Sequence, residues 1–272
     1  MRLLFLGDVI GRPGREAVAE RLPGLIADHA IDFTVINGEN SAHGHGITER
    51  TFLDLVHAGA DAVTLGNHTF DQKQALTLLA AEDRCIRPAN YPLGTPGRGA
   101  FLLEARNGAR VLVANVMGRV FMPQLDDPFR TADTILESAE LGTVADAVLV
   151  DFHAETTSET MCFGHYLDGR ASVVVGTHTH VPTADHQILP GGTAYQSDAG
   201  MCGDYDSSIG MKRDVPMSQF LLGYREGRME VADGPVTICG LVVDTSDRTG
   251  LAERVAPLRL GGRLEPIEPD WW

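Results

Sequence analysis

The sequence predicts an α/β protein, one domain over residues 1–272 that holds two sheets between outer helices. Two observations carry this expectation. Up to Gly176, short β-branched runs alternate with amphipathic stretches, as parallel strands covered by crossover helices do. Beyond Gly176 the punctuation changes to Gly191-Gly192 and Gly234-Pro235 around alternating apolar residues, which predicts antiparallel hairpins.

Taken in order, Arg2–Val9 is the first strand, and Pro13-Gly14-Arg15-Glu16 opens a helix with proline at an early position, where its missing N–H costs little. Phe33–Ile36 is the second strand. Thr48 begins a helix that carries Phe52, Leu55 and Val56 on one face, and Ala62–Leu65 is the third strand, followed by a helix over Gln72–Ala80. The later strands are Arg110–Val116, Ala147–Val150, Ser172–Val175 and Val236–Val243, with a helix over Thr131–Leu141. There is no internal repeat, low-complexity tract or Pro/Gly/Ser-rich linker.

Composition excludes several classes. With 43% hydrophobic and 22% charged residues the chain is globular rather than disordered or fibrous. No apolar run approaches the roughly 18 residues of a membrane span. The first apolar run is interrupted by Asp8 and is too short for a signal sequence, so the expected location is cytoplasmic. The net charge of −15, from 22 Lys+Arg against 37 Asp+Glu, disfavours stable binding to long nucleic acids and repels a phosphate unless local cations reverse the field. The four cysteines, Cys85, Cys162, Cys202 and Cys239, contain no C-x-x-C pair and read as buried reduced thiols.

The chemistry gathers at the strand ends. The first strand gives Gly7-Asp8, the second Gly38-Glu39-Asn40 and the third Gly66-Asn67-His68; Ala147–Asp151 leads to His153, and Ser172–Val175 to Gly176-Thr177-His178-Thr179-His180. Carboxyl ends of parallel strands share one edge, and ligands bind outside it. A glycine precedes four of the clusters and permits a sharp exit from the strand. One such residue is turn or cap chemistry, but five segments converging on Asp, Glu, Asn and His predict a metal site. Asp8, Glu39, Asn40, Asn67, His153, His178 and His180 are seven ligands, more than the three or four that one first-row ion with open positions needs. They suit two ions about 3.5–4 Å apart, with Glu39 as the bridge. The oxygen-rich, thiolate-free set leans to iron or manganese. No Walker motif, G-x-G-x-x-G or G-x-S-x-G elbow is present.

At these residues the chain resembles the calcineurin-like metallophosphoesterases, and within them the YmdB-type branch. The matching stretches are Gly7–Gly11 with Pro13-Gly14-Arg15, Ile36–Asn40, Gly66–Thr69, Arg87–Asn90, Leu125–Phe129, Asp151–Glu155, Gly176–His180 and Thr183–Asp185. Two departures from the broader superfamily are typical of that branch: Val9-Ile10 follows Asp8 where Asp-x-His is usual, and Glu39 stands where an aspartate usually bridges, with Asn40 beside it. The resemblance implies a four-layer α/β/β/α sandwich of two mixed sheets flanked by helices. It implies that Asp8, Glu39, Asn40 and His180 hold one metal, that Glu39, Asn67, His153 and His178 hold the other, and that His68 is the proton donor. The implied activity is hydrolysis of small phosphodiesters, 2′,3′-cyclic nucleotides at the 2′ bond, by a hydroxide bridging the ions. Two alternatives stay open, a phosphomonoesterase such as a nucleotidase and a metal-bound nucleotide sensor without turnover. No membrane partner is expected, and self-association into a homo-oligomer is left open. His43 and His45 are either substrate contacts or exposed loop histidines. Arg119 reads as a surface ion pair rather than a phosphate clamp, and Tyr205 and Asp206 carry no assignment.

Overall fold

The computed structural model describes residues 1–272. In chain order it holds β1 (Arg2–Leu6), β2 (Asp8–Val9), α1 (Gly11–Asp28), β3 (Phe33–Asn37), α2 (Glu49–Ala58), β4 (Ala62–Thr64), α3 (Ala75–Ala81) and β5 (Cys85–Ile86). There follow β6 (Ala100–Glu104), β7 (Arg110–Met117), α4 (Pro128–Ser138), β8 (Ala147–His153), α5 (Thr157–Tyr166) and β9 (Val173–Thr177). The last elements are β10 (Gln187–Ile188), β11 (Ala194–Gln196), β12 (Met201–Asp204), α6 (Asp214–Leu222), β13 (Val236–Thr245) and β14 (Ala252–Leu260). One mixed sheet runs β2-β12-β13-β1-β3-β4-β5, with β14 also paired to β13, and the other runs β10-β11-β9-β8-β7-β6. Within them β1, β3, β4 and β5 are mutually parallel, as are β7, β8, β9 and β11.

Alternation within single strands sets the layering, because successive side chains of a strand point to opposite faces. Leu4 and Leu6 of β1 pack against Val18 and Leu22 of α1 and Phe52 and Leu55 of α2, while Leu3 and Phe5 join Val111, Leu149 and Val175 between the two sheets. In β8 the same division sends Leu149 to the space between the sheets, and Val148, Val150 and Phe152 to Leu136 of α4 and Phe163 of α5. Three apolar layers separated by two sheets make a four-layer α/β/β/α sandwich. Phe152 is fully buried and stacks on Phe163 with ring centroids 4.0 Å apart. Truncating it to alanine in this packed outer layer is expected to cost about 3–5 kcal/mol in denaturant unfolding.

The departures from the expected elements have local causes. The first strand breaks at Gly7, where the chain leaves β13 and takes β12 as its new parallel partner, pairing Met201 with Asp8. The fourth helix starts at Pro128 rather than Thr131, because the Asp127 carboxylate caps the N–H groups of Phe129 and Arg130. The helix expected from Gln72 begins at Ala75. Hairpins do form at β10–β11 and β13–β14, but β11 and β12 also pair in parallel, with β9 and β2. Helix α6 gave no periodic signal: only Pro216 and Ser218 are buried, and Met217, Phe220, Leu221 and Leu222 are exposed. Cys85, Cys202 and Cys239 are buried free thiols, whereas Cys162 is exposed, contrary to expectation. No helix is long and apolar enough to cross a membrane.

Candidate metal centre

Parallel register brings the clusters to one rim. Because β1, β3 and β4 are neighbours, Asp8, Glu39 with Asn40, and Asn67 leave the first sheet side by side. From the second sheet, His153 ends β8 and His178 follows β9. The two sets meet at His153, whose Nε2 lies 3.1 Å from Glu39 Oε1 and 2.9 Å from Asn67 Oδ1. Glu39, His153 and His178 each present a ligand atom within 4.8 Å of the others. His180 Nε2 is 3.7 Å from Asp8 Oδ1, and Asp8 Oδ2 accepts from the His178 N–H at 3.3 Å. Six of the seven residues singled out as ligands therefore lie along one continuous set of contacts, and Asn40 is tied in through the main chain beside Glu39.

The four glycines before these clusters serve a different purpose from the one expected. Gly7, Gly38, Gly66 and Gly176 do not adopt positive φ. They are places where no Cβ fits: one on Gly66 would fall on His153 Nε2 and Glu39 Oε2, one on Gly7 on the Gly200 carbonyl, and one on Gly176 on the Ser197 carbonyl. The left-handed residues are His178 (φ 105°) and His180 (φ 66°). A bulky residue in that region is a strained conformation that packing has to hold.

Hydrogen bonds fix which imidazole nitrogen faces inward. Asp151, fully buried, accepts from Thr64 Oγ1 at 2.5 Å, Thr177 Oγ1 at 2.6 Å and Asn37 Nδ2 at 3.0 Å. With its proton committed to Asp151, the Thr177 hydroxyl accepts from His153 Nδ1–H at 2.9 Å, which leaves Nε2 toward Glu39 and Asn67. His180 Nδ1–H donates to the Ile209 carbonyl at 2.8 Å, turning its Nε2 to Asp8. His178 Nε2 lies 3.0 Å from the Glu155 carboxylate. Outer partners of this kind are how proteins orient imidazole ligands. Asp151, Thr177, Glu155 and the Ile209 carbonyl carried no role in the sequence. Asp151 could have been found, since it stands two residues before His153 on the same strand face.

The buried oxygens argue for cations. Asp8 Oδ1, Glu39 Oε1 and Asn40 Oδ1 are shielded from solvent and accept no hydrogen bond, while Asn40 Nδ2 is engaged by the Gly44 carbonyl at 3.0 Å. A buried oxygen without a partner costs about 1–3 kcal/mol, and more when charged. Burial pushes the Asp8 carboxyl well above its usual range, and the facing Asp198, Glu39 and Asp151 add to this against the opposing His153. Burial acts the same way on Glu39, but protonated His153 overrides it and holds Glu39 at about 2. His153, disfavoured as a cation by burial, is nevertheless raised to about 9 by Glu39 and Asp8. Burial, helped by the neighbouring His153 cation, keeps His178 neutral down to about 3, and burial keeps His180 neutral down to about 4. The oxygen and neutral nitrogen donors fit hard or borderline cations. Loading such a cation below pH 9 must displace the His153 Nε2 proton. Metal titration in weak buffer at pH 7 is therefore expected to acidify the solution, with apparent affinity falling about tenfold for each pH unit of acidification.

His68 stands apart from these candidate ligand atoms and groups instead with His45 and Asp71, their ligand atoms lying within 4.8 Å of one another. Its backbone N–H donates to Glu39 Oε2 at 2.9 Å and its Nδ1–H to Asp71 at 2.7 Å, with the side chain partly exposed. The His45 ring lies 4.8 Å from that of His68, while His43 is exposed in the same loop. Arg119 pairs with Asp127 at 3.1 Å. Tyr205 is structural, its hydroxyl donating to the His180 carbonyl, and Asp206 binds Arg213 and Arg263.

The family model described as YmdB-like protein matches residues 4–258. The chain is 48% identical over 255 residues to the 2′,3′-cyclic-nucleotide 2′-phosphodiesterase of Bacillus subtilis (strain 168), with 94% of this chain and 95% of that one covered. Among solved structures, a hypothetical protein from Thermus thermophilus superposes with a TM-score of 0.89 at 44% identity, covering 97% of this chain and 100% of that one. A structure titled as a novel phosphatase from Mycoplasma pneumoniae superposes with a TM-score of 0.88 at 32% identity, covering 96% and 93%.

Proposed function

The chain belongs to the YmdB-like family, and from that premise we propose that it is a metal-dependent phosphodiesterase that opens 2′,3′-cyclic nucleotides at the 2′ bond. The observation that carries this reading is the convergence of the buried Asp8, Glu39 and Asn40 oxygens that accept no hydrogen bond with Nε2 of His153 and His180 and with the His178 ring, a ligand atom of which is within 4.8 Å of Glu39 and His153. Asp8, Glu39, Asn40 and His180 would hold one ion, and Glu39, Asn67, His153 and His178 the other. When bound, the ions supply a nucleophile at neutral pH and neutralise phosphoryl charge. Asn67 and Asn40 contribute neutral oxygens, so the ligand set does not overwhelm the ions' positive charge, and the hard donors favour iron or manganese. His68, held at Nδ1 by Asp71, gives a proton from Nε2 to the departing ribose oxygen. The four free thiols support a reducing compartment, the cytoplasm.

The test compares a bis-aryl with a mono-aryl phosphate, with and without chelator, beside elemental analysis. Hydrolysis of the diester by protein carrying two ions per chain, lost on chelation and restored by iron or manganese, is the expected result. Faster hydrolysis of the monoester would replace this reading with a phosphomonoesterase, and metal content without turnover of either ester would replace it with a sensor.

A further inference from the structure

Beside the candidate centre lies a second recess that the hydrolytic step does not use. It has a volume of about 540 Å³ and is lined by His43, His45, Gln72, Arg225 and Arg228, with no carboxylate among its lining residues. In a chain of net charge −15 this is a local excess of positive charge, bordered by Glu16, Glu230 and Asp233 in an adjoining recess that shares His43 and Arg228. Two other arginines of the nearby surface are committed: Arg12 pairs with Glu16 at 2.6 Å and Arg15 with Asp54 at 3.1 Å. Arg225 and Arg228 form no salt bridge and no side-chain hydrogen bond, and both are exposed.

The recess is built onto the centre. Loop 42–46, which forms one wall, follows Glu39 and Asn40 directly, and three of its residues, His43 (φ 57°), Gly44 (φ 91°) and Gly46 (φ 78°), are left-handed. For His43 that conformation carries strain, held here by the Asn40 side chain on the Gly44 carbonyl and by Gln72 on the His45 carbonyl at 2.8 Å. The fold thus turns two histidines outward within a few residues of the bridging carboxylate. His45 spans both spaces: its ring is 4.8 Å from that of His68, and its Nδ1 is buried without a partner. Burial and then His68 lower the His45 pKa, Asp71 and Glu39 oppose them, and the Arg225 charge adds a smaller lowering effect.

We propose that this recess is a subsite for a second phosphate and its nucleoside, so that the preferred substrate is a short oligoribonucleotide ending in a 2′,3′-cyclic phosphate rather than the cyclic mononucleotide alone. This rests on the phosphodiesterase reading of the centre. In such a substrate the next phosphate is joined to the 5′ oxygen of the terminal ribose, one nucleoside away from the bond being cleaved. The recess adjoins His68 through His45, which lines it and whose ring lies 4.8 Å from that of His68. Unpaired guanidiniums suit phosphate, which they bind through parallel N–H donors, and the volume suits one nucleotide unit. The chain's overall charge still repels long polyanions, so recognition confined to one or two phosphates is what this surface allows.

The experiment uses the full-length, metal-loaded protein with adenosine 2′,3′-cyclic phosphate and with the diadenosine dinucleotide that ends in the same cyclic phosphate. The expected result is a dinucleotide kcat/KM about tenfold or more above that of the mononucleotide, the range of one charge-assisted hydrogen bond. The double variant Arg225→Ala/Arg228→Ala should bring that ratio close to unity through KM. Arg248→Ala, which removes an unpaired exposed arginine from the β13–β14 turn, should leave the ratio unchanged. The salt dependence of binding for the 3′-phosphorylated dinucleotide product should weaken in the double variant but not in Arg248→Ala. Equal use of both substrates by the unaltered protein, rejection of the dinucleotide, or a ratio unmoved by the double variant each overturns the subsite. Hydrolysis of neither substrate instead overturns the phosphodiesterase reading, a separate outcome.

Discussion

Replacing Glu39 with glutamine is expected to abolish phosphodiester hydrolysis and strip the chain of metal at the proposed centre while leaving its secondary structure intact. Glu39 is fully buried, its Oε1 accepts no hydrogen bond, and its Oε2 takes the His68 N–H at 2.9 Å. The amide is close in shape, so packing is preserved. What changes is charge: Glu39 is the carboxylate that faces His153 Nε2 at 3.1 Å, and a neutral amide lacks the charge that the proposed bridge between two cations requires. Its NH2 would also meet either the His68 N–H or His153 Nε2, setting donor against donor. Lewis-acid stabilisation of a phosphoryl transition state is worth several kcal/mol, so its loss corresponds to about a thousandfold or more in rate. Elemental analysis reads the ions, far-UV circular dichroism the fold, and a diester assay the rate. Turnover at the parental level would remove Glu39 from the centre. The variant should also lose the elevated His153 pKa of about 9, because the carboxylate that leads in raising it against burial is gone. An imidazole NMR titration of the metal-free protein tests that independently of activity.

How far the centre could be read from the chain follows from which facts are local. The layering was legible because alternation in β1 and β8 assigns each residue to one face, and the five segments carrying candidate ligands were legible because each follows a recognisable strand. The role of the glycines was not, since close approach to Gly200, Ser197 and His153 is a property of contacts far along the chain. Nor was the Asp151–Thr177–His153 relay, which joins β8 to β9 through a hydroxyl that looks like an ordinary strand threonine. Helix α6 escaped because its apolar residues face outward, so burial imposes no period on them. The basic recess escaped for a related reason: His43 and Arg228 are 185 positions apart and share a wall only after folding.

His68→Ala separates proton transfer from metal binding, two roles that adjacent residues in Gly66-Asn67-His68 could easily exchange. Asn67 Oδ1 meets His153 Nε2 at 2.9 Å and lies among the candidate ligand atoms. The His68 ring does not: its Nδ1 is engaged by Asp71 at 2.7 Å, and its tie to Glu39 runs through the backbone N–H, which an alanine retains. Metal content should therefore be unchanged, while kcat for a cyclic nucleotide, whose leaving group is a basic ribose alkoxide, should fall by about 10²–10⁴-fold, the range for a lost general acid. An aryl diester offers an internal control. Its phenolate leaves without a proton, so the same variant should lose far less on that substrate, and the ratio of the two losses measures protonation alone. If the variant instead arrives without metal, or loses as much on the aryl ester as on the nucleotide, His68 is a ligand or a scaffold and not the acid. Because Asp71 only orients the ring, Asp71→Asn should show the same substrate asymmetry with a smaller loss on the cyclic nucleotide, a gradation that a purely structural role for this pair would not produce.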